Sequence, residues 1–154
     1  MSDSHDFDPY FGQWKLHTRK LRDVLDPDCE EWIEFDGSND VQPILGGLGN
    51  IEKSVNYGEE DFYGMSIRLF DPAAGVWRIW WASSKFPGQM GVPNEGVFTD
   101  GVGTFVTDEE LNGRMTRVRF QWTGIAEGKP RWEQSFSYDE GATWKLNWVT
   151  TSHR

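Results

Sequence analysis

A carboxylate that moves protons needs an apolar setting to raise its pKa, and the stretch "EWIEFDG" supplies one. As a strand it puts Glu34 on one face with Trp32 and Asp36, beside Glu31, so Glu34 is a candidate acid or base for a lyase or isomerase. The ordinary alternative is a polar outer face. Arg68, in "SIRLFD", is either a solvated surface charge or an internal cation that needs a carboxylate from the protein or from a ligand. Gln134 alternates with Trp132 and Phe136 in "RWEQSFSY", where an amide among rings could orient one polar group of an apolar guest. The three histidines, His5, His17 and His153, have no metal-ligand spacing, and the lone Cys29 follows "DPD", an acidic neighbourhood unsuited to a reactive thiol. No serine stands in a nucleophile elbow. No metal and no cofactor are expected.

Strands must carry these residues. The chain shows short β-prone runs broken by turn signals and no sustained helical period. Ten strands are expected: Gln13 to Leu21, Glu31 to Gly37, Ile51 to Tyr57, Phe62 to Phe70, Val76 to Ser83, Gly96 to Thr99, Gly103 to Thr107, Met115 to Trp122, Arg131 to Tyr138 and Trp144 to Thr151. Most connections are short, as an antiparallel meander requires. Closure removes the exposed edges of such a sheet, so the expected fold class is all-β, an antiparallel up-and-down barrel of about 8 to 10 strands in one domain. Two longer segments, Arg22 to Glu31 and Ser84 to Glu95, could border a pocket mouth, the first with room for one helical turn. "GGLGN" lacks the lysine and the helix of a phosphate loop and reads as a turn.

Pairing Tyr138 with Trp144 places Trp132, Gln134, Phe136, Tyr138, Trp144, Leu146 and Trp148 on one face, expected inward, against Arg131, Glu133, Ser135, Lys145 and Asn147. The same alternation turns Val118, Phe120 and Trp122 inward. In "LFDPAAGVW" two loop lengths are open: one register sends Tyr63, Met65, Ile67 and Leu69 inside, and the other puts Arg68 inside near Ile79.

"SYDEGATW" matches S-x-D-x-G-x-T-W and so resembles the aspartate box of sialidases and other propeller proteins. A propeller needs roughly 40 to 45 residues per blade and at least about four blades, more than 154 residues supply, and one copy of the box is present. The motif is expected to staple a hairpin, with Asp139 accepting backbone N–H groups and Gly141 taking positive φ.

"FGQWKLHTRKL" at the start of the meander resembles the Gly-x-Trp opening of lipocalins and related calycin barrels. With "EWIEFDG", "ILGGLGN", "RLFDPAAGVWRIWWASS" and "RWEQSFSYDEGATWKLNWV", most of the chain resembles small bacterial lipocalin-like proteins. The resemblance implies that Trp14 plugs the closed end of the barrel against a basic residue from a late strand, for which Arg154 is the counterpart. Related haem-binding barrels use an axial histidine near the carboxyl end, but His153 lies one residue from the terminus, so haem has little support.

The nine Trp, ten Phe and four Tyr suit an aromatic interior that either fills the barrel or encloses one small ligand. A net charge of -10 repels phosphate backbones and acidic membranes, so neither nucleic acid nor membrane is an expected partner. A single cysteine forms no internal disulfide, and the acidic amino-terminal stretch carries no export signal, so a cytoplasmic location is expected. The sequence thus points to a small hydrophobic or aromatic ligand, bound by Trp32, Glu34, Arg68, Trp81, Phe120, Trp132, Gln134 and Trp148. The rival expectations are a cofactor-independent lyase or isomerase using the same cavity, and a structural protein with a filled barrel. A homodimer is compatible with either.

Overall fold

The computed structural model describes residues 1–154. Ten strands close into an antiparallel up-and-down barrel: β1 (Gly12–Leu21), β2 (Trp32–Ile44), β3 (Gly49–Tyr57), β4 (Asp61–Asp71), β5 (Val76–Ser83), β6 (Asn94–Thr99), β7 (Val102–Leu111), β8 (Arg114–Thr123), β9 (Arg131–Ser137) and β10 (Lys145–His153). Each strand pairs with its sequence neighbours, and β1 pairs with β10 to complete the ring. All ten expected strands form. The largest difference is β2, which runs seven residues past Gly37 through "SNDVQPI". Its polar residues conceal a strand because β3 holds the whole length by backbone pairing, from Asp36 with Tyr57 to Ile44 with Gly49. No helix is long and apolar enough to cross a membrane.

Up-and-down connectivity sorts the loops to two ends. One end carries the amino terminus, the Leu45–Gly47 turn and the carboxyl terminus; the other carries the long segments after β1 and β5, the tight turns after β3 and β7, and the "DEGA" turn. The segment after β1, which has room for one helical turn, forms turns without a helical element.

The first end is filled. A 3₁₀ turn at Asp8–Tyr10 drives Phe7 and Tyr10 into the barrel, where both are fully buried. Phe7 packs edge-on against Trp77 at 4.9 Å and Phe98 at 5.1 Å, within a core that includes Trp14, Val41, Phe105 and Trp122. Asp6 accepts from Trp77 Nε1 at 3.0 Å and Trp14 Nε1 donates to the Tyr10 carbonyl at 2.9 Å, so the indole N–H groups are satisfied as the rings are buried. The Arg154 guanidinium lies over Trp14, the cap that the lipocalin resemblance implies.

The wall is thinnest between β5 and β6, which pair only from Trp77 with Gly96 to Ile79 with Asn94. Gly96 is obligatory there: a Cβ would stand 1.7 Å from the Thr104 carbonyl oxygen of β7. Beyond Ile79, the inner part of β5 has only the Gly91 amide, 3.4 Å from the Trp81 carbonyl, on that side.

Candidate functional site

The β4–β5 hairpin closes with a four-residue loop, Asp71 pairing with Val76 and Arg68 with Ile79. This selects the register with Arg68 inside. Phe62, Gly64, Ser66 and Arg68 then face inward, while Tyr63, Met65, Ile67 and Leu69 face out. On β3 likewise Asn50, Glu52, Ser54 and Asn56 are the inward set. These two strands therefore invert the usual pattern, polar in and apolar out, which is why alternation alone left the hairpin open.

Arg68 is 2% exposed. Its Nη2 donates to Glu52 Oε1 and its Nη1 to Asn50 Oδ1 at 2.8 Å, and the guanidinium lies over the rings of Phe7 at 4.9 Å and Trp122 at 5.2 Å. Glu52 also accepts from Asn39 Nδ2 at 3.0 Å, and the same amide donates to Tyr10 Oη at 2.7 Å. Burial, with the negative charge of Glu52 beside it, pushes the Tyr10 hydroxyl well above its ordinary range, so it stays protonated. The carboxylate that an internal Arg68 needs is thus supplied by the protein, at the boundary between the filled end and the open half. Arg68 Nε and Asn39 Oδ1 are buried there without a partner.

Above this floor the barrel encloses a cavity of about 100 Å³. Trp81, Phe120, Trp132 and Trp148 wall one side, Ser54, Asn56 and Phe62 the other, with Gln134, Arg68 and Glu52 contributing polar groups. The rings meet edge to face, Trp81 with Trp148 at 6.0 Å and Trp132 with Trp148 at 5.6 Å, an arrangement that holds an aromatic surface open to a guest.

Six of the residues expected at the site, Arg68, Trp81, Phe120, Trp132, Gln134 and Trp148, line this cavity. Two do not. Glu34 stands on the outer face of β2 opposite Arg19 of β1, 3.3 Å from its Nε, and 3.6 Å from His17 Nε2. Trp32 shares that face and lies beneath the Arg19 guanidinium at 4.9 Å. The grouping of Trp32, Glu34 and Asp36 was right, but the face is the polar exterior, because Phe35, Asn39 and Val41 take the interior. His17 points outward as its alternation with Trp14 requires. Its hydrogen bond to Asp36 at 2.9 Å, more than the burial that opposes it, raises its pKa.

The β9–β10 hairpin corrects a second expectation. Gln134 pairs with Trp148 as expected, but a bulge between Leu146 and Trp148 shifts the rest, so Lys145 pairs with Phe136 and Leu146 with Ser135. The bulge turns Leu146 outward and Asn147 inward, where Asn147 is 1% exposed and its Oδ1 accepts from Gln134 Nε2 at 3.0 Å. Trp144 lies outside under Arg119, 4.0 Å from the guanidinium carbon. Tyr138 borders a separate hollow of about 80 Å³ at the rim, with Phe136, Leu25 and Pro27.

The aspartate-box residues form the expected staple. Thr143 donates its amide to Asp139 Oδ1 at 2.8 Å and its hydroxyl to Oδ2 at 2.6 Å, Ser137 Oγ donates to Oδ1 at 2.7 Å, and Gly141 takes φ of 93°. None of these residues lines the cavity.

Alternation did not assign Glu52, Ser54, Asn56, Leu16, Thr150 and Tyr10 to the site. Tyr10 was findable only as part of the segment ahead of the Gly-x-Trp strand. For Glu52, Ser54 and Asn56 the signal was a regular i, i+2 polar series opposite Arg68, an ion-pair partner that a buried arginine demands.

No family model matches the chain, and no curated protein matches it in sequence. A solved structure does: the S-type phycobiliprotein lyase CPES from Guillardia theta is similar at a TM-score of 0.64 with 11% sequence identity, covering 100% of this chain and 93% of that one. A likeness at that identity bears on the fold alone, and it is consistent with a calycin-like barrel.

Proposed function

We propose that the barrel binds one small aromatic or apolar molecule in its open half. The observation that carries this is the cavity of about 100 Å³ left among Trp81, Phe120, Trp132 and Trp148 while the opposite end of the same barrel is packed solid. Interiors of this kind ordinarily have few voids larger than a water molecule, so an unfilled aromatic chamber argues against a merely structural core. Its size restricts the guest: about 100 Å³ is less than the roughly 150 Å³ apolar cavity that admits benzene, so one ring at most is the appropriate scale, with any substituent at the open mouth. Gln134 and the Arg68–Glu52 floor supply polar contacts to orient it.

The second reading, a lyase or isomerase in the same cavity, draws support from the fold neighbour, which is named as a phycobiliprotein lyase. In this chain the carboxylate facing the cavity is Glu52 rather than Glu34, so proton transfer would run through Glu52 beside Arg68.

Native mass spectrometry of freshly purified protein, with tryptophan fluorescence titrations against single-ring aromatic compounds, tests the proposal. A retained guest, or saturable quenching that is lost in Trp148→Ala, is the expected result. A mass equal to that of the bare chain and unmoved fluorescence across the panel would return the barrel to a structural role. Turnover of a bound compound that disappears in Glu52→Gln would favour the second reading.

A further inference from the structure

Two ammonium groups stand over aromatic rings that line the cavity, one on each side. Lys20 follows Trp14, Leu16 and Thr18 in the inward set of β1 and pairs across the β1–β10 seam with Trp148. Its Nζ lies 5.0 Å from the Trp148 ring centroid and donates to the Leu21 carbonyl at 3.3 Å. Lys85, just past β5, reaches to 4.2 Å from the ring of Phe62. Both rings line the cavity.

Some of the rim's other charges are engaged elsewhere, whereas Asp28, Glu30 and Glu60 at the same end enter no ion pair. Arg22 takes Glu31 and Glu59, each at 2.9 Å; Asp23 Oδ1 accepts the Leu25 amide at 3.0 Å; Lys145 donates to the carbonyls of Pro27 and Cys29 at 2.6 and 2.7 Å. Ion pairs within 4.0 Å bind arginines and histidines, while neither Lys20 nor Lys85 belongs to one. None of the six lysines enters an ion pair, and of these Lys20 and Lys85 are the two that lie over rings lining the chamber. Burial lowers the Lys20 pKa and the charge of Lys85 lowers it further, against the opposing charge of Asp23, so the two ammonium groups repel each other. An anion placed there relieves that repulsion and completes the hydrogen bonding of both ammonium groups.

We propose that Lys20 and Lys85 form an anion subsite at the cavity mouth, and that the ligand class is a compact aryl carboxylate whose ring enters among Trp81, Phe120, Trp132 and Trp148. This rests on the cavity being a binding site and adds the charge of what it takes. The apolar body of the ligand occupies the chamber, and its carboxylate stays at the rim, where desolvation is incomplete and two positive groups meet it.

The experiment compares 3-phenylpropionate with 3-phenylpropionamide, which match in size and differ in charge, by calorimetric titration into the full chain. The acid is expected to bind about tenfold more tightly. In the Lys20→Met/Lys85→Met double variant the amide should bind as before and the acid should fall to the amide's level. Equal binding of acid and amide by the unaltered protein, or a preference for the acid that survives in the double variant, overturns the subsite and leaves the cavity reading standing. Binding of neither compound overturns both. Should the double variant fail to fold, ¹³C-lysine spectra of the unaltered protein decide: the Cε resonances of Lys20 and Lys85 should move with the acid and not with the amide, and unmoved resonances at saturating acid refute the proposal.

Discussion

The guanidinium carbon of Arg154 lies 3.7 Å from the ring centroid of Trp14, which joins the last residue of the chain to the first strand. Arg154 Nη2 also donates to the Phe11 carbonyl at 2.9 Å. The pair covers the filled end of the barrel at the seam where β1 meets β10. Arg154→Ala should lower the unfolding free energy by about 1 kcal/mol, the scale of a partly exposed cation–π contact. Trp14→Ala should cost about 3 to 5 kcal/mol, because it also empties a buried ring volume. Urea denaturation followed by tryptophan fluorescence measures both.

The Arg68–Glu52 pair predicts an asymmetry between single and double substitutions. Arg68→Met leaves Asn50 Oδ1 without its donor and the buried charge of Glu52 with the Asn39 amide alone, and should destabilise by about 3 to 5 kcal/mol. Glu52→Gln should cost less, since the amide still accepts one hydrogen bond. The double change Arg68→Met/Glu52→Leu should recover much of the loss, because apolar groups then replace both charges. A double-mutant cycle showing simple additivity would mean that the two side chains do not act as a unit.

Gln134 is tied to Asn147, so its replacement is expected to act on stability before binding. Gln134→Leu strands Asn147 Oδ1 in a buried site, at a cost of about 1 to 3 kcal/mol. Gln134→Leu/Asn147→Leu should be less harmful than the single change. Trp148→Ala, by contrast, removes cavity wall and should weaken a single-ring ligand by about 1 to 3 kcal/mol beyond any general destabilisation. Comparing melting temperatures with titration constants in the same variants separates the two effects.

Asp139 gives the hairpin an acid-labile element. Hydrogen bonds from the Thr143 hydroxyl and amide, then from Ser137, push its pKa down to about 2 from an ordinary 3.8. Because the folded value lies below the unfolded one, this stabilisation is present above pH 4 and is lost as the pH falls toward about 2. Asp139→Ala should lower the melting temperature at neutral pH, flatten its decline across that acidic interval, and leave ligand affinity unchanged. Loss of binding with unaltered melting would make the aspartate box part of the site.

Strand number, closure and the outward or inward sense of β8 and of the Trp132–Gln134 and Trp148 positions followed from local information, since period-two alternation and turn residues act over a few residues at a time. Trp14 with Arg154 came instead from the resemblance of the Gly-x-Trp opening to lipocalins, which implies such a pair. Three features were decided only by tertiary structure. The inverted polarity of β3 and β4 arises because Arg68 and Glu52 satisfy each other across the strands, so the partner of each lies outside its own alternation pattern. The bulge that turns Asn147 inward changes which residue faces the interior by adding one to the strand, and no residue type in "KLNWV" marks where that addition falls. Glu34 reads the same whether its face is buried or solvated; the side was set by Phe35, Asn39 and Val41 taking the interior, and Arg19 and His17 of the neighbouring strand then meet Glu34 outside. The inward path of Lys20 belongs to the same class, because a lysine at the end of an alternating run is pointed at a ligand chamber only when the strand beside it brings Trp148 to meet it.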